Sequence, residues 1–237
     1  MKSFFSVDVD CDLAWPGDGE AAVTKGKAKA EFSYSGKGLL ALVNLLNKLG
    51  ISGTFFFEAR TALELDKEMG LKELMKDHEV GLHGFEHEDF TKLTYNQKRD
   101  KIARGKWLLE KIFSTKITGF RAPYLRADQE TTKALKEEKI EWDSSCLVEN
   151  SILPQVIAPR ELYFWPVIEG SLGEEEFWQR IKKDKDPVLS THSWHAAVDL
   201  KGKERNPVFE EKILKKMVEA GFKFELIGGC IKNLKNL

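Results

Sequence analysis

Two close pairs of histidines are the residues whose types and spacing could do chemistry in this sequence. Four of its five histidines fall into these pairs, His83 with His87 and His192 with His195. A spacing of four residues places two imidazoles on one face of a helical turn, where both can bind one metal ion. A pair of solvated polar residues in a loop is the alternative for an isolated H-x-x-x-H segment. The elements that carry these histidines decide between the two.

An acidic cluster follows the first apolar segment of the chain. Residues 4–9 are apolar and partly β-branched, and Asp8, Asp10 and Asp12 lie within five residues. Alternation along a strand makes Asp8 and Asp10 point the same way. Carboxylates this close repel one another unless a cation or a shared proton relieves the repulsion. We therefore expect a cation here, with a solvated acidic turn as the alternative.

Apolar strands alternate with amphipathic helices along the whole sequence. We predict strands at 4–9, 52–57, 79–82, 117–120, 139–142, 162–166, 187–191 and 222–227. We predict helices at 39–49, 63–75, 96–113, 129–137 and 174–183, and a last one with Asn206 as N-cap, Pro207 first and Gly221 after its end. Residues 13–36 form a long loop. This alternation predicts parallel strands with crossover helices, and closed β/α barrels carry their chemistry at the carboxyl ends of the strands.

Reactive side chains stand at five of these predicted strand ends. They are Asp8 and Asp10, His83, Arg121, Asp143 and His192. Scattered surface residues would not sort themselves in this way. The sequence therefore favours a metal site over solvated polar residues.

Composition limits the class of protein and its partners. The 237 residues are 42% hydrophobic and 32% charged, as expected for a single globular domain over 1–237. With 37 basic and 38 acidic side chains, nothing indicates a nucleic-acid partner. Three cysteines without framework spacing, no signal-peptide pattern and no long apolar run predict a cytoplasmic protein, at most peripheral to a membrane.

Several short segments resemble the motifs of one family, the polysaccharide deacetylases (NodB homology, carbohydrate esterase family 4). In chain order they are Asp8-Val9-Asp10, His83-Gly84-Phe85-Glu86-His87, Phe120-Arg121-Ala122-Pro123-Tyr124, Trp142-Asp143 and His192. The resemblance covers nearly the whole chain and implies a distorted (β/α) barrel of the NodB type. Segments 78–83, 126–129 and 143–146 most resemble the deformylases of undecaprenyl-phosphate formamido-arabinose. Gly84 and Ser190 depart from the family pattern, which has Ser or Thr and Leu there.

The resemblance implies a metal site. Asp10, His83 and His87 would bind one divalent ion, with Asp12 as the alternative to Asp10. Two imidazoles and one carboxylate suit zinc first, and also cobalt, nickel or ferrous iron. Such an ion acts as a Lewis acid and lowers the pKa of a bound water, which would attack the amide.

The resemblance also implies catalytic roles. Asp8 would be the general base, and His192 would protonate the departing nitrogen, with His195 as the alternative acid. Arg121 would hold a carboxylate in its charged form, with Asp143 as the expected partner. The backbone N–H of Tyr124 would help to bind the oxyanion.

We therefore expect a metal-dependent amide hydrolase that removes an acetyl or formyl group from an amino sugar. The subgroup resemblance implies a sugar carried on a polyprenyl phosphate at the inner face of the membrane. Chitin-like or peptidoglycan-like polymers and small N-acyl amines are the alternatives. Three other hypotheses are a non-catalytic sugar-binding module, a non-haem iron oxygenase and an inverzincin protease. The H-x-x-E-H signature of the inverzincins belongs on a long helix.

Overall fold

The computed structural model describes residues 1–11, 32–145, 148, 151, 153–154 and 161–229. Asp12, Cys146, Cys230 and most of the predicted loop 13–36 lie outside the described residues. The chain divides into two compact units. Unit 1 comprises Met1–Gly53 with Arg160–Leu226, and unit 2 comprises Thr54–Pro159 with Ile227–Leu237. The assignment of 1–237 to a single domain stays a prediction.

Strands and helices alternate through the described residues. In chain order they are β1 Lys2–Val9, α1 Ser33–Leu49, β2 Thr54–Phe57, α2 Ala59–Met69, α3 Leu71–Leu74, β3 Glu79–Leu82, α4 Tyr95–Phe113, β4 Gly119–Phe120, α5 Gln129–Glu137, β5 Trp142–Asp143, β6 Glu161–Tyr163, α6 Trp165–Ile168, α7 Glu174–Lys183, β7 Val188–His192, α8 Val208–Glu219 and β8 Lys223–Phe224. Short 3₁₀ turns lie at Phe90–Lys92, Pro123–Leu125 and Trp194–Ala196.

Unit 1 is built on β1, which pairs in parallel with both β7 and β8, while β6 pairs with the far edge of β7. Every residue of β1 after Lys2 is buried, as expected for a parallel strand covered on both faces. The register sets Phe4 opposite Val188 and Asp8 opposite His192. The carboxyl ends of β1 and β7 therefore lie side by side.

Unit 2 holds four parallel strands in the order β2, β3, β4 and β5. The register sets Phe57 opposite Leu82, Leu82 opposite Phe120, and Phe120 opposite Asp143. All four residues of β2 are buried, and the ring of Phe57 lies 5.0 Å from that of Phe113 on α4. The carboxyl ends of these strands also lie at one edge.

Local sequence signals set most of the helix boundaries. α4 begins with a capping box between Thr94 and Gln97, and Asp128 caps α5 in the same way with Thr131. α1 ends where Gly50 adopts a left-handed conformation at φ 65°. The predicted bounds of α5 and α7 are confirmed.

Some predicted boundaries were wrong. The helix predicted over 63–75 is divided into α2 and α3 by Gly70, whose φ of 59° interrupts the helical backbone. α1 begins at Ser33, inside the predicted loop, and α8 begins at Val208 with Pro207 as its N-cap. The closing strand was predicted at 222–227, whereas β8 comprises only the two residues that pair with β1.

No helix among the described residues is both long enough and apolar enough to cross a bilayer.

α1 packs closely against the segment that follows β7. A side chain at Gly38 would place its Cβ 1.8 Å from the carbonyl oxygen of Ser193 and 3.3 Å from the Cβ of Ala196. The oxygen belongs to the backbone and cannot rotate away. Only glycine lets the helix approach this closely.

Gly38→Ala should therefore force α1 away from this segment and lower the free energy of unfolding by about 1–3 kcal/mol. Gly173→Ala is the matched control, because nothing lies within 4 Å of its added Cβ and its φ is −73°. Thermal unfolding of the two variants followed by circular dichroism measures the difference. Equal melting temperatures would contradict the close approach.

Candidate metal and catalytic site

His83 follows β3 directly and is oriented by two backbone carbonyls. Its N–H donates to the carbonyl oxygen of Phe57 at 2.8 Å, and its ring Nδ1 lies 2.8 Å from the carbonyl oxygen of Arg121. A carbonyl oxygen only accepts hydrogen bonds, so Nδ1 carries the proton and Nε2 keeps its lone pair. This second hydrogen bond is typical of metal-binding histidines. The ring is buried, with 2% exposure.

His87 lies in a loop rather than on a helical turn, so the predicted helical placement of the pair was wrong. Gly84 has a φ of 77° and His87 a φ of 58°, and neither conformation fits an α-helix. The loop nevertheless brings the two rings together, with their centroids 5.4 Å apart. The inverzincin alternative loses its support, because that motif requires a helix.

The start of α2 holds this loop in place. The N–H groups of Ala59 and Arg60 donate to the carbonyl oxygens of Gly84 and Phe85, both at 3.1 Å. The first N–H groups of a helix have no partner within the helix, so the loop satisfies two of them. The N-terminus of α2 therefore fixes the path of the chain between the two histidines.

Gly84 departs from the family pattern for a conformational reason. Its positive φ favours glycine, and an added Cβ would lie 3.2 Å from both Glu88 Oε2 and Pro123 Cγ. The Glu88 carboxylate in turn accepts the N–H groups of Phe85 and Glu86. A larger residue at position 84 would strain this loop.

Arg121 and Asp143 are both fully buried at neighbouring strand ends. The Nη2 of Arg121 donates to the hydroxyl of Ser144 at 3.1 Å, and its guanidinium lies 4.1 Å from the centre of the Phe56 ring. The Oδ1 of Asp143 accepts from the N–H and the hydroxyl of Ser145 at 2.9 and 2.5 Å. The predicted pairing of Arg121 with Asp143 stays a prediction.

Tyr124 lies in the 3₁₀ turn Pro123–Leu125 and is left-handed, with a φ of 58°. A non-glycine residue in this region is uncommon and marks a constrained position. Tyr124 is 41% exposed, and the centre of its ring lies 4.7 Å from that of His87 in an edge-on arrangement. The side chain thus lies against a predicted metal ligand, and the oxyanion role of its N–H stays a prediction.

Asp8 and Asp10 stand at the carboxyl end of β1, both buried. The carbonyl oxygen of Asp8 accepts the N–H of Ser193 at 2.9 Å, and that of Asp10 accepts the hydroxyl of Ser35 at 2.6 Å. The hydroxyls of Ser35 and Ser193 lie 2.5 Å apart. Because the Ser35 hydroxyl donates to Asp10, the Ser193 hydroxyl must donate to Ser35. This series of hydrogen bonds connects α1 to the ends of β1 and β7.

His192 is the last residue of β7 and is partly exposed. Tyr163 on β6 stacks on its ring, with centroids 6.4 Å apart and planes 24° apart. The ring of Trp194 lies 5.4 Å from His192. Sequence reasoning missed Tyr163, and the apolar strand pattern around it gave no reason to single it out.

His195 differs from His192 in its surroundings. It is 1% exposed, and its Nε2 lies 2.9 Å from a carboxylate oxygen of Glu169. Burial lowers its pKa to about 4 and outweighs the opposing effect of Glu169. His195 is therefore neutral near pH 7.

Three buried residues offer one ligand atom each to a metal ion. They are Asp10, through a carboxylate oxygen, and His83 and His87, through ring nitrogens. These side chains are of the types that bind divalent metals. That Asp10, His83 and His87 together bind one ion stays a prediction. The identity of the metal stays a prediction.

Comparison with known families gives a match over the centre of the chain. The family model described as Polysaccharide deacetylase matches residues 37–141, which include β2 to β4 and both histidines of the H-x-x-x-H segment. This match supports the predicted relationship to that family.

Two curated relatives carry related names. A peptidoglycan deacetylase of Helicobacter pylori is 25% identical over 198 residues, which are 81% of this chain and 64% of the relative. The peptidoglycan deacetylase-like protein FGM2 of Gibberella zeae is 28% identical over 149 residues, which are 61% of this chain and 44% of the relative. The chain therefore spans about half to two thirds of the length of these relatives.

A solved structure confirms the predicted fold class. A Mycobacterium smegmatis protein assigned to the polysaccharide deacetylases superposes with a TM-score of 0.76 at 18% identity, covering 99% of this chain and 90% of the other. The fold is thus the curled parallel sheet with helices of the NodB type, a distorted (β/α) barrel.

The low pKa of His195 predicts how stability depends on pH. The unfolded chain takes up a proton on this histidine near its usual pKa of 6.5, whereas the folded chain does so only near about 4. The contribution of His195 to the free energy of unfolding is therefore fully present above pH 6.5. It falls by on the order of 3 kcal/mol as the pH drops towards 4.

Urea unfolding of wild type and His195→Gln between pH 7.5 and 4.5, with a chelator in both, measures this effect. The variant should show the shallower loss of stability on acidification, because glutamine does not titrate. Parallel curves for the two proteins would contradict a neutral, buried His195.

Proposed function

We propose that this chain is a metal-dependent amide hydrolase of the polysaccharide deacetylase type, which removes an acyl group from the nitrogen of an amino sugar. The family match supports deacetylase-type activity in general. The observation that carries the proposal is the arrangement at His83. Its Nδ1 donates to a backbone carbonyl, so the lone pair that can coordinate a metal lies on Nε2, and the ring of His87 lies beside this imidazole.

The donor set fits a divalent transition metal. Two imidazole nitrogens and one carboxylate oxygen, from His83, His87 and Asp10, suit zinc, with cobalt, nickel and ferrous iron as alternatives. When bound, such an ion polarises the amide carbonyl and lowers the pKa of a water molecule. Burial of all three side chains strengthens the electrostatic interaction with a cation.

The remaining residues supply proton transfer and charge stabilisation in the proposed reaction. Asp8 takes the proton of the attacking water, as a general base. The N–H of Tyr124 donates to the oxygen that becomes negative when the carbonyl carbon turns tetrahedral. Arg121 holds a carboxylate in its charged form, and Asp143 is the expected partner.

His192 is the better candidate for the general acid. The departing nitrogen needs a proton, and histidine is the type of side chain suited to supply one near neutral pH. His195 does not meet this requirement, because it is neutral near pH 7 and its Nε2 is bound to Glu169. We therefore assign the acid to His192 and not to His195.

The sugar and its carrier are the finer part of the proposal. Short segments that resemble the formamido-arabinose deformylases support a polyprenyl-phosphate carrier. They also support action in the cytoplasm at the membrane surface. One of these is 126–129, in which Asp128 caps α5 and binds the buried Lys98 at 2.6 Å, a structural role. The relatives named peptidoglycan deacetylases support an oligosaccharide substrate instead. Lipid-linked sugars and oligosaccharides are therefore both tested as substrates.

Release of formate and of acetate, assayed separately, tests the function. The substrates are undecaprenyl-phosphate formamido-arabinose, an N-acetyl-hexosamine on the same lipid, and N-acetyl-chito-oligosaccharides or peptidoglycan fragments. We expect release of one acid, its loss with a chelator, and its return on addition of zinc. Release from the oligosaccharides alone would keep the hydrolase and reject the lipid carrier. Binding of these sugars without turnover in the metal-loaded protein would instead favour a sugar-binding module.

Two aspartates at the end of β1 should separate metal binding from proton transfer. Asp10→Ala should lose both metal and activity, whereas Asp8→Asn should keep the metal and lose about 10²–10⁴-fold in kcat. Zinc content by mass spectrometry and acid release under the same conditions give both readouts. Asp77→Asn, an exposed aspartate, is the matched control. An Asp8→Asn enzyme with full activity would remove Asp8 as the base.

A further inference from the structure

The buried His195 pairs with a partly buried glutamate close to the proposed acid. The Nε2 of His195 is 2.9 Å from Oε1 of Glu169, which follows α6, and the same oxygen accepts the N–H of Leu200 at 3.0 Å. An oxygen that accepts a backbone N–H is acting as an acceptor, so the proton between the two side chains belongs to His195. The pair therefore consists of a neutral imidazole that donates to a carboxylate.

The bond to Glu169 fixes the orientation of the His195 ring. The other ring nitrogen, Nδ1, is buried and has no hydrogen-bond partner within the part of the chain that the structure describes. Rotation of the ring would break the bond to Glu169 without a replacement at a buried site, which is costly. His195 thus holds one orientation.

The backbone of the same segment is held from α8. Arg205 forms two hydrogen bonds to the buried carboxylate of Glu210, at 2.9 and 2.7 Å, and also donates to the carbonyl oxygen of His195. The N–H of Arg205 donates to the carbonyl oxygen of Ala197 at 2.8 Å. The turn after β7 is therefore anchored by two partly buried charged groups, Glu169 at the His195 ring and Arg205 at the backbone.

Ring contacts connect this anchored residue to the proposed acid. The ring of His195 lies edge-on to that of Trp194, with centroids 5.2 Å apart, and Trp194 lies 5.4 Å from His192. Tyr163 covers His192 by stacking. The position of the His192 ring thus depends on Trp194, and that of Trp194 depends on His195.

We propose that His195, held by Glu169, is a positioning residue that sets the Trp194 ring and through it the orientation of the general acid His192. The proposal rests on the proposed function, because it assigns His192 as the acid. The neutral state of His195 supports it, since a second positive charge beside a protonated His192 would oppose that protonation.

Kinetics of the amide substrate test the positioning role. His195→Ala should lower kcat about 10- to 100-fold with KM nearly unchanged, because a small misplacement of an acid affects the chemical step. His195→Gln keeps an N–H that can reach Glu169 and should restore most of the loss. His78→Ala, a half-buried histidine that precedes β3, is the matched control and should retain wild-type kcat. Equal kcat in His195→Ala and wild type, per metal-loaded molecule, would overturn the proposal.

A double-mutant cycle separates positioning from direct acid catalysis. If His195 acts through His192, the variant lacking both rings should be no slower than His192→Ala. Hydrolysis of an activated aryl acetate, whose leaving group needs no proton, should be nearly unaffected by His195→Ala. Independent, multiplying losses in the double variant would overturn the proposal, and so would a failure of His195→Gln to recover.

A readout without activity distinguishes failure of this proposal from failure of the proposed function. In side-chain NMR spectra of the full chain, the ring signals of His192 should shift in His195→Ala, return towards wild type in His195→Gln and stay in place in His78→Ala. This pattern in a protein without hydrolase activity would support the coupling of the two rings and reject the function. Unchanged His192 signals in His195→Ala would reject the coupling itself.

Discussion

Parallel pairing of β1 with β7 is the constraint on which the proposed proton-transfer residues depend. The register places Asp8 directly opposite His192, and the N–H of Ser193 continues the ladder by donating to the carbonyl oxygen of Asp8. Two parallel strands end at the same edge of the sheet, so the residues that follow them lie side by side. A shift by one residue would turn every side chain of β1 to the opposite face of the sheet, and Asp8 with them. The register of β1 against β7 therefore fixes the position of Asp8.

The same principle of backbone control applies to the histidines in unit 2. β3 pairs with β4, so that the chain after Phe120 passes His83 and offers it the carbonyl oxygen of Arg121. This contact defines which nitrogen of His83 carries the proton. The carbonyl comes from a residue whose own side chain is buried against Phe56, so it cannot move without disturbing the core. Packing of the core and orientation of the His83 ring, the proposed metal ligand, thus depend on the same residue.

The sequence predicted elements with strong local signals and missed those set by unusual backbone angles. α5 and α7 were predicted with correct bounds because Asp128 caps one, and three glutamates begin and basic residues end the other. The H-x-x-x-H segment was wrongly placed on a helix, because residue spacing does not reveal that His87 has a φ of 58°. The strand alternation predicted which strand ends carry the polar residues, whereas the partners of these residues depend on tertiary contacts that no local pattern contains.

The two histidine pairs show why spacing alone does not define a role. His83 and His195 are both almost fully buried, and each has one ring nitrogen committed to a protein oxygen. For His83 the oxygen is a carbonyl and accepts from Nδ1, so the lone pair lies on Nε2, as its proposed role as a metal ligand requires. For His195 it is a carboxylate oxygen and accepts from Nε2, while burial keeps the ring neutral. The spacing of histidines in the sequence therefore does not show which ring nitrogen is committed to a protein oxygen, because tertiary contacts decide it.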